Sequence, residues 1–442
     1  MNTRFFLILF GLICFLLSRF PARGQETKPM VVEHADSLVG KTIGGEAFRE
    51  LIGHVRLRQD NVSIRCDRAI QFLDRNQVEL LGNVVITQDT LTLKTSHGLY
   101  FGNTRLARSS APIEVNDGST TLTAASGEYD VNKKTAVFIG DVTVDDPRTK
   151  IHALHLVYER DSSKAIATGN VEIAFKEDNA FMLGDSVVQY IRRKVTFVSG
   201  SPYLRQIDST FITRRNAPDS LRLDTLHMLS GRMEAYRDST NTFIARDSVR
   251  ILRGELAARA ELAVMFRNDS LAVLRYDPVV WYRDTQITAD SIAVTFSSNA
   301  VEKMEAHREA FAASKSKPES GDTLGPPGRF DQTEGNVVSL FFSKHKLHRI
   351  EIEGNAISLY WLYDGRALNG VRRESGDRMV ITFKDGKADV IRTAGGVEGV
   401  YYPEKLVANR ESTFNLEGFH WRADRPAYSD LPSSFQHQTA TP

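Results

Sequence analysis

The residues that could do chemistry recur along this chain instead of gathering at one place. Two histidine pairs, His152/His155 and His345/His348, stand three apart. That spacing puts two rings on one face of a helix but on opposite faces of a strand. The flanking residues alternate as in a strand, so the pairs read as solvated strand residues, not metal ligands. Aspartates repeat at Asp67, Asp185, Asp247, Asp290 and Asp377. They are either a series of cation sites or corner residues that hydrogen-bond their own backbone. A calcium site needs six or more oxygens and no dense acidic loop accompanies them, which favours corners. Tyr100, Tyr129, Tyr158 and Tyr190 also recur, as a platform for sugars or as a ladder packing neighbouring strands. Cys66 reads as a small packing residue. No HExxH, CxxC, GxSxG or phosphate-cradling glycine loop occurs. The chain is therefore read as a non-enzyme, with no catalytic residue, no metal and no cofactor.

What recurs with these residues is a period of about 29. Gly53, Gly82, Ala111, Gly140 and Gly169 keep one register, and Gly200 follows after a slightly longer step. A β-branched residue stands two positions later each time: Val55, Val84, Ile113, Val142 and Val171. A second column, Asp67, Ser96, Ala125, Leu154 and then Asp185, follows the same step. Periods of 20–50 residues mark stacked supersecondary units that bury their apolar faces on one another. Within units, runs such as Val84-Val85-Ile86-Thr87 and Leu91-Thr92-Leu93-Lys94 alternate with strand period. Turn residues punctuate them, for example Asn116-Asp117-Gly118 and Asp145-Asp146-Pro147. Each unit is expected to hold about three short strands, with a bend or bulge at the aspartate corner. Prolines open several units, at Pro112, Pro202 and Pro278. Residues Val301 to Phe311 have helical composition, but their place in the repeat predicts strand.

Residues 1–24 read as a secretory signal. Arg4 precedes an apolar run from Phe5 to Leu17 that is short for a membrane span, and Ala22-Arg23-Gly24 suits cleavage before Gln25. One cysteine then remains, so no internal disulfide can form and the core must come from burial. Removing Arg4, Arg19 and Arg23 leaves 53 basic against 55 acidic residues, a formal charge of −2. That argues against bulk attraction to nucleic acid. The expected organisation is the signal at 1–24, a leading segment at 25–52, and repeats over 53–311. A flexible loop follows at 312–334, a second β segment at 335–428 and a polar tail at 429–442.

The units Gly82-Asn83-Val84, Gly140-Asp141-Val142, Gly169-Asn170-Val171 and Gly354-Asn355-Ala356, with corners Gly184-Asp185, Ala289-Asp290 and Gly376-Asp377, resemble the OstA-like family. That family includes the lipopolysaccharide-transport protein LptA and the N-terminal domain of LptD. The resemblance implies an all-β, elongated β-jellyroll, or β-taco, with a V-shaped interior that carries lipopolysaccharide acyl chains. It implies a periplasmic protein, with association to the outer membrane left open. Its partners would be lipopolysaccharide and other OstA-like jellyroll proteins joined edge to edge. The chain has more repeats than an LptA and no room for the barrel of an LptD. Candidates for the lipid groove are Val62, Ile64, Val84, Ile86, Leu91, Leu93, Val142, Val144, Val171 and Ile173. The same residues would serve equally as an ordinary closed core. The alternatives are a periplasmic or surface β-repeat scaffold or adhesin without lipid, and, more distantly, a polysaccharide-acting β-helix enzyme.

Overall fold

The computed structural model describes residues 30–436 apart from 60, 178, 215–216, 298–299, 318–327, 344–345, 366 and 385–386. The expected signal at 1–24 and its cleavage site lie outside the described residues, as does His345. The chain divides into two compact units. The first holds the described residues up to Pro202 together with Glu234–Asp238; the second holds Tyr203–Met233 and the chain from Ser239 onward. The divide falls at Pro202, not at the Ser- and Pro-rich loop.

In the first unit, antiparallel strands follow one another as a meander. The repeat is a pair of bent strands of about a dozen residues, not three short ones: Thr135–Asp145 and Thr149–Glu159, then Lys164–Phe175 and Ala180–Tyr190. One repeat does break, into Leu106–Ser109, Ile113–Asn116, Thr121–Ala124 and Ser126–Asp130. Pro112 stands at that break, where a missing N–H removes a ladder bond. Pro202 and Pro278 likewise stand directly before strands that start at Tyr203 and Val279.

The bend has one cause throughout. The glycine and the residue after it both take left-handed backbone: Gly82 and Asn83 at φ 68° and 42°, Gly140 and Asp141 at 78° and 47°, Gly169 and Asn170 at 84° and 48°. Two such residues on one strand oppose a single residue on the next. Gly82-Asn83 lie opposite Ser96, Gly140-Asp141 opposite Leu154, and Gly169-Asn170 opposite Asp185. This β-bulge switches the side-chain parity, so each strand has two arms. The second sequence column is the residue beneath the glycine of the following strand. A Cβ on Gly82 would overlap the Asp67 carboxylate, and one on Gly169 would stand 2.8 Å from Leu154 Cβ. Asn83 Nδ2 donates to Asp67 Oδ2 at 2.9 Å, so this aspartate ties a corner. Among the described residues no group of three or more His, Cys, Asp or Glu is placed to hold a metal.

The second unit uses the same device at Asp247-Ser248, Arg308-Glu309 and Gly354-Asn355. Ala300–Lys315 is strand, as the repeat predicts for 301–311. The loop expected at 312–334 is shorter: strand runs on to Lys315 and resumes at Phe330. The last strand ends at Pro403, and residues 404–436 form a strap of short helical turns, Glu404–Val407, Glu411–Phe414, Tyr428–Asp430 and Ser433–Gln436. Residues 429–436 are thus not a simple polar tail, because Leu431 and Phe435 are buried. Phe435 packs on Tyr203 with ring centroids 4.9 Å apart. The strap covers an outer sheet face. Gln332 Oε1 accepts from Leu416 N–H at 2.9 Å, and Gln286 Oε1 accepts from Arg422 N–H at 2.7 Å. Gln286 Nε2 donates to the His420 carbonyl at 2.7 Å. Arg329 is buried beneath the strap, pairs with Glu404 and Glu411 at 2.6 and 3.0 Å, and lies over the Trp361 ring. Phe311, Ala312 and Ala313 are all buried, as a strand with both faces covered requires.

Candidate functional site

The candidate groove residues fall on the inner face of the first arm of the first unit. Strand register joins many of them in one ladder. Leu57 pairs with Ile64, Ile64 with Ile86, Ile86 with Leu93, and Leu93 with Val115. Val115 pairs with Leu122, Leu122 with Val144, Val144 with Ile151, Ile151 with Ile173, and Ile173 with Met182. Val84, Val142 and Val171 form a second inner row beside the corner, where Val142 faces Ala153 and Val171 faces Gly184. Val62 and Leu91 lie toward the far end of the arm, both paired with Gln88. The opposite parity is polar but for Val85: Arg65, Val85, Lys94, Glu114, Thr123, Thr143, His152 and Glu172 follow in register. Lys94 Nζ meets Glu114 Oε1 at 2.9 Å on that outer face.

Beyond the corner the parity flips and a second arm supplies the facing wall. Phe138, Leu156, Ala167, Val187 and Val198 are its inner ladder. Sequence reasoning did not name these residues; the flip at each Gly-X pair was the available signal. The two walls meet, because Ile64 of the first arm and Ala69 and Leu80 of the second belong to one buried cluster. Tyr100, Tyr129 and Tyr158 stand on the second wall, spaced by Ala107, Ala136 and Ala165. Large and small side chains thus alternate across strands. Tyr190 is on the other face, under Arg193.

Closure of this interior varies along the unit. Val142, Val144, Val171 and Ile173 are buried, as are Ile64, Val84 and Leu91, whereas Val62, Ile86 and Leu93 are only half-buried. The tyrosine ladder shows the same trend: Tyr100 is 39% exposed, Tyr129 half-buried and Tyr158 0% exposed. Ile86 and Leu93 lie several strands inside the sheet, so their exposure is not that of an end strand. The two walls meet along the whole unit, with the inner residues less completely buried over 62–100 than over 135–175. Cys66 lies in the inner row, and burial pushes its thiol up to about 11, which leaves it protonated and inert at neutral pH.

Residues 27–174 match the model of the OstA-like protein family. This stretch is an OstA-like segment. The match takes in every candidate groove residue and stops within the first unit. No curated protein matches the chain. Among solved structures, the chain is similar to LptH of Pseudomonas aeruginosa, described as the LptA-homologous periplasmic component of the lipopolysaccharide transport device. The identity is 15%, the TM-score 0.26, and the match covers 34% of this chain and 95% of that one. The fold class rests on the strands themselves: an all-β jellyroll of antiparallel bent strands.

Proposed function

We propose that this protein is a periplasmic lipopolysaccharide carrier that holds acyl chains between the two walls of its OstA-like unit. The observation that carries the reading is the unbroken inner ladder from Leu57 to Met182, along which Ile86 and Leu93, with Val62 beside them, are only half-buried. Each buried methylene is worth about 0.8 kcal/mol. A chain of about a dozen carbons then resists water by roughly 10 kcal/mol, so a lipid with several chains needs a continuous apolar path across an aqueous gap. A ladder that admits chains where its inner residues are least buried supplies one, while sugars stay on the wet side. The periplasmic placement rests on the leader read at residues 1–24.

Strand edges support partners of the same build. Val31–His34 and Ser37–Ile43 pair on one side with Glu46–Gln59, and Val31 and Leu38 are exposed at 56% and 62%. An apolar edge with no further strand on it among the described residues recruits one. Mass spectrometry of an organic extract of the purified protein tests the cargo. Copurified multiply acylated lipid is expected; an extract free of lipid from a folded protein would favour a scaffold.

A further inference from the structure

We infer that the second unit carries a separate binding site for a single-chain anionic amphiphile, such as a free medium-chain carboxylate. Between its two walls lies a cavity of about 160 Å³. Leu226, Met228, Ile251, Ala258 and Val280 line one side; Ala263, Leu274, Val294 and Phe342 line the other. Its polar residues all lie at one rim, where the turns after Arg253 and Tyr282 meet: Asp224, Arg253, Glu255 and Arg283. Arg253 Nε meets Asp224 Oδ2 at 2.8 Å, and Arg283 Nε meets Glu255 Oε2 at 2.7 Å. Arg425 joins them, donating to the carbonyls of Arg283 and Glu255 at 2.7 and 3.2 Å. The lining itself balances two guanidinium groups against two carboxylates, and Arg425, just outside it on the same turns, adds a third positive group. Asp284, next along, is taken up by Lys317 at 2.6 Å.

Size decides between ligand classes. An apolar cavity of about 150 Å³ holds one small ring, and sites for larger ligands run from about 300 Å³. This cavity therefore takes the end of one chain and excludes a multiply acylated lipid. An apolar slot with a positive rim fits one hydrocarbon tail with one carboxylate head, the head exchanging with Glu255 for the half-exposed Arg283. The site is independent of the cargo reading, which concerns the first unit.

The test uses the full chain and a diazirine-bearing medium-chain fatty acid, with labelled peptides mapped by mass spectrometry and decanoate as competitor. Labelling is expected on peptides containing Met228, Met265 or Phe342, and excess decanoate should remove it. Ala263→Leu fills the cavity and should cut labelling at least tenfold with unchanged melting. If it lowers melting, Ala272→Val is read in its place. Arg283→Gln should weaken competition by decanoate several-fold and leave decanol unaffected. Labelling that ignores the cavity-filling variants, or that spreads evenly over the surface, overturns the site. Labels confined to the first unit would overturn it and leave the cargo reading standing.

Discussion

Asp331 offers a sharp test of how the strap is seated. Its carboxylate accepts from Trp361 N–H at 2.9 Å and from the Ser316 side chain, and burial pushes it up from 3.8 to about 7. A carboxyl whose folded pKa is raised binds a proton in the folded chain before the unfolded one. Stability therefore falls as pH rises from about 4 to about 7 and stays lowered above that. At 1.36 kcal/mol per pH unit, the effect is on the order of a few kcal/mol at pH 8. Burial lowers His227 in the same unit, and its contribution has the opposite sign, lost as pH falls below 6.5. The difference between wild type and Asp331→Asn isolates the carboxyl. All three tryptophans, Trp281, Trp361 and Trp421, lie in the second unit, so denaturant titration by tryptophan fluorescence reads it directly. Asp331→Asn should be the more stable protein at pH 8, with the gap shrinking steadily toward pH 5. A gap that is constant with pH, or a variant weaker than wild type at pH 8, would refute the reasoning.

Three further outcomes follow. Gly82→Ala puts a Cβ on a left-handed residue against the Asp67 carboxylate and should cost about 1–3 kcal/mol in the first unit, measured by thermal melting against Val85→Ala on the outer face. Arg329→Ala removes the buried cation that Glu404 and Glu411 share and should cost about 3 kcal/mol, with limited proteolysis cutting the strap over 404–436 before the strands. Cys66 is 4% exposed with its thiol held protonated, so maleimide at neutral pH should label it only as fast as the first unit opens.

The bent strands were legible because a left-handed pair demands particular residues. Glycine followed by Asn, Asp or His suits a two-residue bulge best, so Gly53, Gly82, Gly140 and Gly169 marked corners of the first unit, whereas the corners at Asp247-Ser248 and Arg308-Glu309 in the second carry no glycine. Inner parity in the first arm was legible for the same reason, since Ile64, Ile86 and Leu93 alternate with Arg65, Val85 and Lys94. The facing wall was not, because parity counted through a bulge comes out inverted. The strap escaped as well. Its anchors, Leu416, Phe419, Trp421, Leu431 and Phe435, are isolated apolar residues in a polar stretch and follow no period. The matching clue was on the strands beneath: Val279-Val280-Trp281 and Ala310-Phe311-Ala312-Ala313 are continuous apolar runs, where a strand with one wet face would alternate. The loop at 312–334 drew its expected length from Ser, Lys, Pro and Gly, yet Ala312 and Ala313 pair with Thr333 and Gln332 as strand.

The most direct measurement of the central claim is a photoreactive residue placed on either face of one strand. Leu93 and Lys94 are neighbours in the chain, one on the inner ladder and one paired with Glu114 outside; Ile86 and Arg65 form a matching set. With lipopolysaccharide supplied, capture is predicted at Leu93 and Ile86 and not at Lys94 or Arg65. Ile86→Asp should weaken it in a protein that still melts cooperatively, since an unpaired carboxylate there is costly to desolvate. Equal capture on the two faces, or none from a folded chain, would contradict the account.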